Sequence, residues 1–251
     1  MLSNKISLVK KFIKLSKLRV VELLLVTTVP SMIVSLYSMP PLSLVAYTLI
    51  GGTLLAVSAN VMNQVFEIER DKLMTRTSDR PLVTGDLQKS SAIIYSILTG
   101  VVGFIVLYFF TTPTAAFIGL IANQFYIFVY TIILKPRTNQ NIVIGGAAGA
   151  APVLIGWTAT GSTLDIGAWL LFLLVFMWTP AHFWALSIEN ESDYKNADFP
   201  MLPTQETYER SSIYIAIYSC ATVLISLAAA PVLQLGIVYL FVSILLGTNL
   251  M

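Results

Sequence analysis

An all-α, multi-pass membrane protein of about eight (eight to nine) transmembrane helices is the fold class this chain predicts, and three features carry it. Of its 251 residues, 56% are hydrophobic and only 11% charged, whereas a soluble domain carries about 25% charged residues. The apolar residues fall in runs close to the 20 or so needed to cross a bilayer as a helix. The charges gather in an N-terminal strip and in three of the connections between runs. A net charge of +2 gives no case for nucleic-acid binding.

The chain reads as a single polytopic domain over 1–251, opened by a basic amphipathic segment at 1–19. There Lys5, Lys10, Lys11, Lys14, Lys17 and Arg19 interleave with Ile6, Leu8, Val9, Phe12, Ile13 and Leu15. That pattern predicts a helix lying on an anionic leaflet. No small-residue cleavage site follows the first apolar run, so no cleavable signal peptide is expected. Spans are predicted at 20–37, 42–62, 91–110, 114–134, 142–160 and 166–188. Two more, at 212–230 and 232–246, complete the chain, the last being short for a crossing. The run GGAAGAAP at 145–152 lets neighbouring backbones approach closely. Cys220, the one cysteine, lies in an apolar run and reads as packing; no internal disulfide is available.

With a cytoplasmic N-terminus, the connections at 63–90, 135–141 and 189–210 are cytoplasmic too. All 15 Lys and Arg residues then fall on that side, as do all of the 13 acidic residues except Glu22 and Asp165. A multi-pass protein of the plasma membrane is expected, with both acidic connections facing the cytoplasm.

The stretch NVMNQVFEIERDKLMTRTSDRPLVTG at 60–85 places ionisable groups at the mouth of a membrane helix, where they are costly and mark a candidate site. Asn63, Glu67 and Asp71 recur every four residues, which stacks them on one helical face. Two carboxylates and an amide oxygen are hard ligands for Mg²⁺, which keeps most of its waters and bridges carboxylates to phosphate. Arg76 and Arg80, again four apart, suit phosphate oxygens. A solvated loop that merely orients the chain fits the same residues. In MWTPAHFWALSIENESDYKNADFPMLP at 177–203, Glu189 and Asp193 repeat the spacing, which suggests two Mg²⁺ ions holding one diphosphate. Lys135 and Arg137 are further clamp candidates, or topological anchors. Phe66, Phe125, Tyr126, Tyr130, Trp178, Phe183 and Trp184 are candidates for π-faces toward a cation, or for ordinary helix packing.

Asn63, Glu67, Glu69, Asp71, Met74, Arg76, Thr77, Arg80 and Pro81 resemble the N-x-x-x-D-x-D-x-D-x-x-M-x-R-T-x-x-R-P signature of the UbiA-type intramembrane prenyltransferases. LSKLRVVELLLVTT at 15–28, YTIILKPRTNQNIVIGGAAGAAPVLIGW at 130–157 and WTPAHFWALSI…DYKNADFPMLP at 178–203 are similar to the branch of that family that farnesylates haem. The resemblance spans about residues 15–205. It implies a helical bundle around a lipid-open central cavity, whose cytoplasmic polar cap holds Mg²⁺ and farnesyl diphosphate. It implies transfer of the farnesyl group to a vinyl group of haem B, giving haem O. Asn63, Glu67, Asp71, Arg76 and Arg80 carry over from the first motif, and Asp193, Tyr194 and Lys195 from the second. Glu67 stands where Asp is commoner, and Ala181 replaces the second proline of W-x-P-P-H-F-W. Eight spans are one fewer than many members have, so a natural short form or a truncated chain is expected.

The expected metal set is therefore Asn63, Glu67, Asp71, Glu189 and Asp193. Substrates would be held by Asn63, Arg76, Arg80, Lys135, Arg137, Lys195 and His182. Catalysis would rest on Asp71, Arg76, Arg80, Asp193, Tyr194 and His182. His182, the one histidine, reads as a haem ligand, a propionate contact, a general base or a packing residue. Membrane lipid, and haem A synthase or a terminal oxidase under assembly, are the implied partners. A prenyltransferase acting on a quinone precursor or a lipid is the alternative enzyme. A transporter is the alternative of another class, though its acids would sit at mid-membrane in broken helices.

Overall fold

The computed structural model describes residues 2–250, with side chains for all of these but 2–7, 19–20, 23–25 and 248–250. The regular elements among the described residues are all helical: α1 (Leu2–Ser16), α2 (Leu18–Leu36), α3 (Leu42–Asp71), α4 (Lys89–Phe110) and α5 (Pro113–Gln124), which continues as a π-helix over Phe125–Leu134. Then come α6 (Asn141–Ala159), α7 (Ile166–Glu189), the short α8 (Glu191–Asn196) and α9 (Leu202–Gln205), α10 (Tyr208–Val232) and α11 (Ile237–Leu250). Six of them are long and apolar enough to cross a membrane: α3, α4, α5 with its continuation, α6, α7 and α10. Val26–Leu36 and Ile237–Gly247 are shorter apolar stretches. Between α10 and α11 the expected run at 232–246 is broken, with Gln234 in the left-handed region (φ 50°).

The largest departure from the expected spans is α3. It does not stop at residue 62 but runs on to Asp71, and its 30 residues make a rod of about 45 Å at 1.5 Å per residue. No Gly or Pro interrupts 53–71, so nothing ends the helix where the apolar run ends. Its last turns therefore rise past the bilayer core of about 30 Å as ordered helix, and the candidate ligands sit on a rigid element. Against it, α4 packs backbone to backbone. A Cβ on Gly103 would lie 2.9 Å from the Gly51 carbonyl oxygen, the close approach that small residues allow between membrane helices.

The polar end is built from three connections. Met74 of the α3–α4 connection packs with Trp184, Tyr194, Phe199 and Met201, which fixes that connection to the one between α7 and α10. From the other side comes α1. Gln64 Nε2 donates to the Leu15 carbonyl (2.6 Å), Lys11 pairs with Asp86 (2.9 Å) and Lys14 with Asp79 (2.7 Å). One face of α1 thus clasps the α3–α4 connection, and Leu8, Val9 and Ile13 on another stay exposed. The side chains of Lys5, Ile6 and Arg19 lie outside the described residues.

Candidate active site

The four-residue repeat on α3 puts Asn63, Glu67 and Asp71 on one face, with 2%, 5% and 2% of their surfaces exposed. Burying carboxylates demands partners, and each has one. Asn63 Nδ2 donates to Glu67 Oε1 (2.7 Å) and Thr131 Oγ1 (3.2 Å). Lys135 Nζ reaches both oxygens of Glu67, at 2.6 and 2.7 Å. Arg80 pairs with Asp71, and Lys17 Nζ donates to Asn63 Oδ1 (3.4 Å). Lys135 arrives from the π-helix, where Lys135 N donates to the Tyr130 carbonyl (2.8 Å) and Thr131 Oγ1 to that of Tyr126 (2.9 Å). Such wide turns are frequent at functional sites. This one delivers the ammonium to Glu67 while it rests over the Phe199 ring, 4.6 Å from its centre.

Lys17 sits in the left-handed link between α1 and α2 (φ 50°). Burial, first, and then the Arg80 and Lys135 charges lower its pKa to about 7, against the pull of Glu67 and Asp71. Asp193 occupies a different post. Its two oxygens accept the backbone N–H groups of Thr75 and Arg76, both at 3.0 Å, and the Arg76 amide above all holds its pKa below the usual carboxylate range. The neighbouring Tyr194 is buried, which raises its phenol pKa against the opposing Arg76 charge. The rim so assembled holds Lys17, Arg76, Arg80 and Lys135 against Glu67, Asp71 and Asp193. Buried ion pairs of this kind contribute little net stability, so a rim that concentrates them points to a ligand.

Below the rim lies a cavity of about 250 Å³ between α2, α3, α5, α6 and α7. On α3 its lining runs from Asn60 down to Thr48, a depth of about 18 Å at 1.5 Å per residue. The walls are mostly apolar or glycine. Gly145 is one place where no side chain fits, because a Cβ there would lie 2.3 Å from the Tyr130 ring.

A cationic rim with hard oxygen donors over a narrow apolar shaft is a place for a charged head and a hydrocarbon tail. Comparison with known proteins agrees: residues 24–251 match the UbiA prenyltransferase family. The chain belongs to that family. The protoheme IX farnesyltransferase of a Parafrankia species is 47% identical over 238 residues, 95% of this chain and 76% of that one. The enzyme of the same name from Pseudarthrobacter chlorophenolicus is 43% identical over 238 residues, 95% and 75% of the two chains. Among solved structures, a UbiA homolog from Archaeoglobus fulgidus bound to DMAPP and Mg²⁺ superposes with a TM-score of 0.77 at 18% identity, covering 96% of this chain and 84% of that one. At that identity the likeness shows the fold.

Within this prenyltransferase the sequence-selected residues divide. Asn63, Glu67, Asp71, Arg80 and Lys135 meet through direct bonds, and Arg76, Asp193 and Tyr194 close over them. Glu189 does not join Asp193; it is exposed at the last residue of α7, and both Asp193 oxygens are occupied by amides. Among the described residues no three His, Cys, Asp or Glu side chains come together around a metal. Lys195 is exposed and paired with Glu191. Arg137 points away, donating to the carbonyls of Ile132 and Ile133 (2.8 and 3.0 Å), as basic side chains do at helix C-termini. Of the aromatic candidates, Tyr126, Tyr130 and Phe183 line the cavity. Phe66 is exposed, Trp184 is buried in the cap core, and Trp178 stacks on His182 (centroids 4.3 Å apart, planes at 15°). Two participants escaped the sequence reading, Lys17 and Thr131. The signal for Lys17 was its place inside the 15–28 motif, just ahead of the first span.

The donor set fits Mg²⁺. Two carboxylates and one amide oxygen are too few to cage the ion, but they suit one that retains waters and completes its shell from phosphate.

Proposed function

We propose that this chain transfers the farnesyl group of farnesyl diphosphate to a vinyl group of haem B. The observation that carries the proposal is a cation-rich rim, with buried carboxylates, standing directly over an apolar shaft. The names of the Parafrankia and Pseudarthrobacter relatives, and the DMAPP and Mg²⁺ bound by the Archaeoglobus homolog, support it. Asn63, Glu67 and Asp71 would hold Mg²⁺, whose chemistry is to neutralise charge on a departing diphosphate. Arg80, Lys135 and Lys17 exchange their resting partners for diphosphate oxygens, and Arg76 is oriented beside them by Asp193. As the C–O bond opens, these fixed charges meet the charge that develops, which is where preorganised groups act most strongly. The shaft keeps bulk water from the allylic cation, and the faces of Tyr126, Tyr130 and Phe183 stabilise it.

On this reading the rim faces the cytoplasm of a cell membrane, because every basic residue lies at that end. The product haem leaves through lipid toward haem A synthase or a terminal oxidase under assembly. His182, half-buried beside Trp178, is the porphyrin contact. His182→Ala is expected to weaken haem B binding about tenfold and to alter the haem absorption spectrum, with farnesyl diphosphate affinity unchanged. An unaltered spectrum and titration would remove His182 from the haem site.

The deciding experiment incubates the purified chain with farnesyl diphosphate, Mg²⁺ and haem B and takes a mass spectrum of the extracted haem. A farnesylated, hydrated haem is expected. Prenylation of an aromatic acid supplied in a parallel incubation, with haem B untouched, would establish the quinone-precursor alternative.

A further inference from the structure

Asn60 is a polar residue that neither the rim nor the packing accounts for. It lies on α3 three residues before Asn63, about 4.5 Å deeper along the axis, and it lines the shaft with only 5% of its surface exposed. Thr48, Thr179 and Asn123 along that wall are occupied. Thr48 donates to the Leu44 carbonyl and Thr179 to that of Val175. Asn123 donates to the Leu55 carbonyl and accepts from Gln124. Among the described residues no hydrogen bond engages the Asn60 carboxamide. A buried amide without partners is costly, and this one faces the cavity at the depth just below the diphosphate-binding rim. Tyr126 and Tyr130 line the same cavity. An amide with such neighbours offers the two to four polar contacts that a confined water requires.

We infer that Asn60 positions the water that terminates the reaction, an inference that rests on the haem-farnesylation reading above. The C1–O bond of farnesyl diphosphate breaks, and its electron pair leaves on diphosphate. The vinyl π-pair then forms the bond between C1 and the terminal vinyl carbon, which puts positive charge on the inner vinyl carbon. A water lone pair closes on that carbon, and the proton released goes to the freed diphosphate. No oxidant or reductant is involved. Without a held water the same cation loses a proton from the adjacent carbon, and the product is an alkene lighter by one water. Asn60 is thus a positioning residue that decides between hydration and elimination.

The test uses the full chain in detergent with farnesyl diphosphate, haem B and Mg²⁺, and reads the ratio of hydrated to alkene product by mass spectrometry. The wild type is expected to give the hydrated haem, with its new oxygen taken from heavy-oxygen water. Asn60→Leu, which keeps the branching of the side chain and removes its polar atoms, should lower the ratio at least tenfold while diphosphate release changes less. Asn60→Ser should restore part of it. Equal product ratios in a folded Leu variant would overturn the inference, and so would a fall in total turnover at constant ratio. If Asn60→Leu does not fold, Asn60→Ala is read in the same way. A wild-type chain that prenylates no haem overturns the underlying reading, and this inference falls with it.

Discussion

Asp71→Asn is expected to lower prenyl transfer by about three orders of magnitude. Asp71 is 2% exposed at the end of α3, and its carboxylate is both a hard oxygen donor and the partner of Arg80. Losing one preorganised electrostatic contact of this kind costs about 10²–10³ in rate, and charge-clamping arginines in phosphoryl chemistry are worth about 10³–10⁵. Removing one member of a buried pair also strands the other, at about 3–5 kcal/mol, so Asp71→Asn alone mixes lost chemistry with lost stability. The double variant Asp71→Asn/Arg80→Gln separates them. With no charge left unpaired, its thermal midpoint in detergent should return toward the wild-type value, while turnover stays at or below that of the single variant. Recovery of turnover together with stability would show that the pair is structural and that diphosphate is held elsewhere.

Parts of this site were legible in the sequence because the membrane makes certain patterns expensive. Ionisable residues at the end of an apolar run stand out, and a four-residue repeat needs only helical geometry to bring Asn63, Glu67 and Asp71 to one face. What sequence could not supply was direction in irregular backbone. Lys135 and Arg137 are two residues apart and looked equivalent, yet the π-helix aims one at Glu67 and leaves the other on helix carbonyls. Lys17 was one cation among six in a strip whose spacing already had an explanation at the lipid surface. Only the left-handed link before α2 carries it to Asn63. Asp193 stands in an acidic cluster, and no local pattern announces that its two oxygens will also accept amides from residues 75 and 76. The bundle was easier to read than the rim: bilayer crossing constrains composition over some 20 residues, whereas the rim depends on contacts such as Lys17–Asn63, Glu67–Lys135 and Thr75–Asp193, which lie 46, 68 and 118 positions apart.

That tertiary role makes Asp193→Asn the sharper test of how the two polar connections cooperate. Each carboxylate oxygen accepts one amide, from Thr75 and from Arg76, at 3.0 Å. The carboxamide keeps one acceptor and turns an N–H₂ toward the other donor, so one buried bond to a charged group is lost, worth about 1.5–3 kcal/mol. That loss should loosen the backbone carrying Arg76 and Arg80, lowering kcat about 10- to 100-fold and raising the KM for farnesyl diphosphate, with helix content unchanged. Hydrogen exchange at the Thr75 and Arg76 amides should accelerate by a similar factor. The pH dependence has a definite sign. Because the folded carboxyl is held below its ordinary value, its contribution is complete above about pH 4 and disappears only as acidity carries it down through the lower folded value. In the wild type, exchange opened by this anchor should therefore stay flat from about pH 5 to 8 once the intrinsic rate is removed, and rise only in acid. In Asp193→Asn it should be raised across the whole range. Slow exchange in the variant combined with lost turnover would mean that Asp193 acts on substrate or metal directly, and the anchoring role would have to be given up.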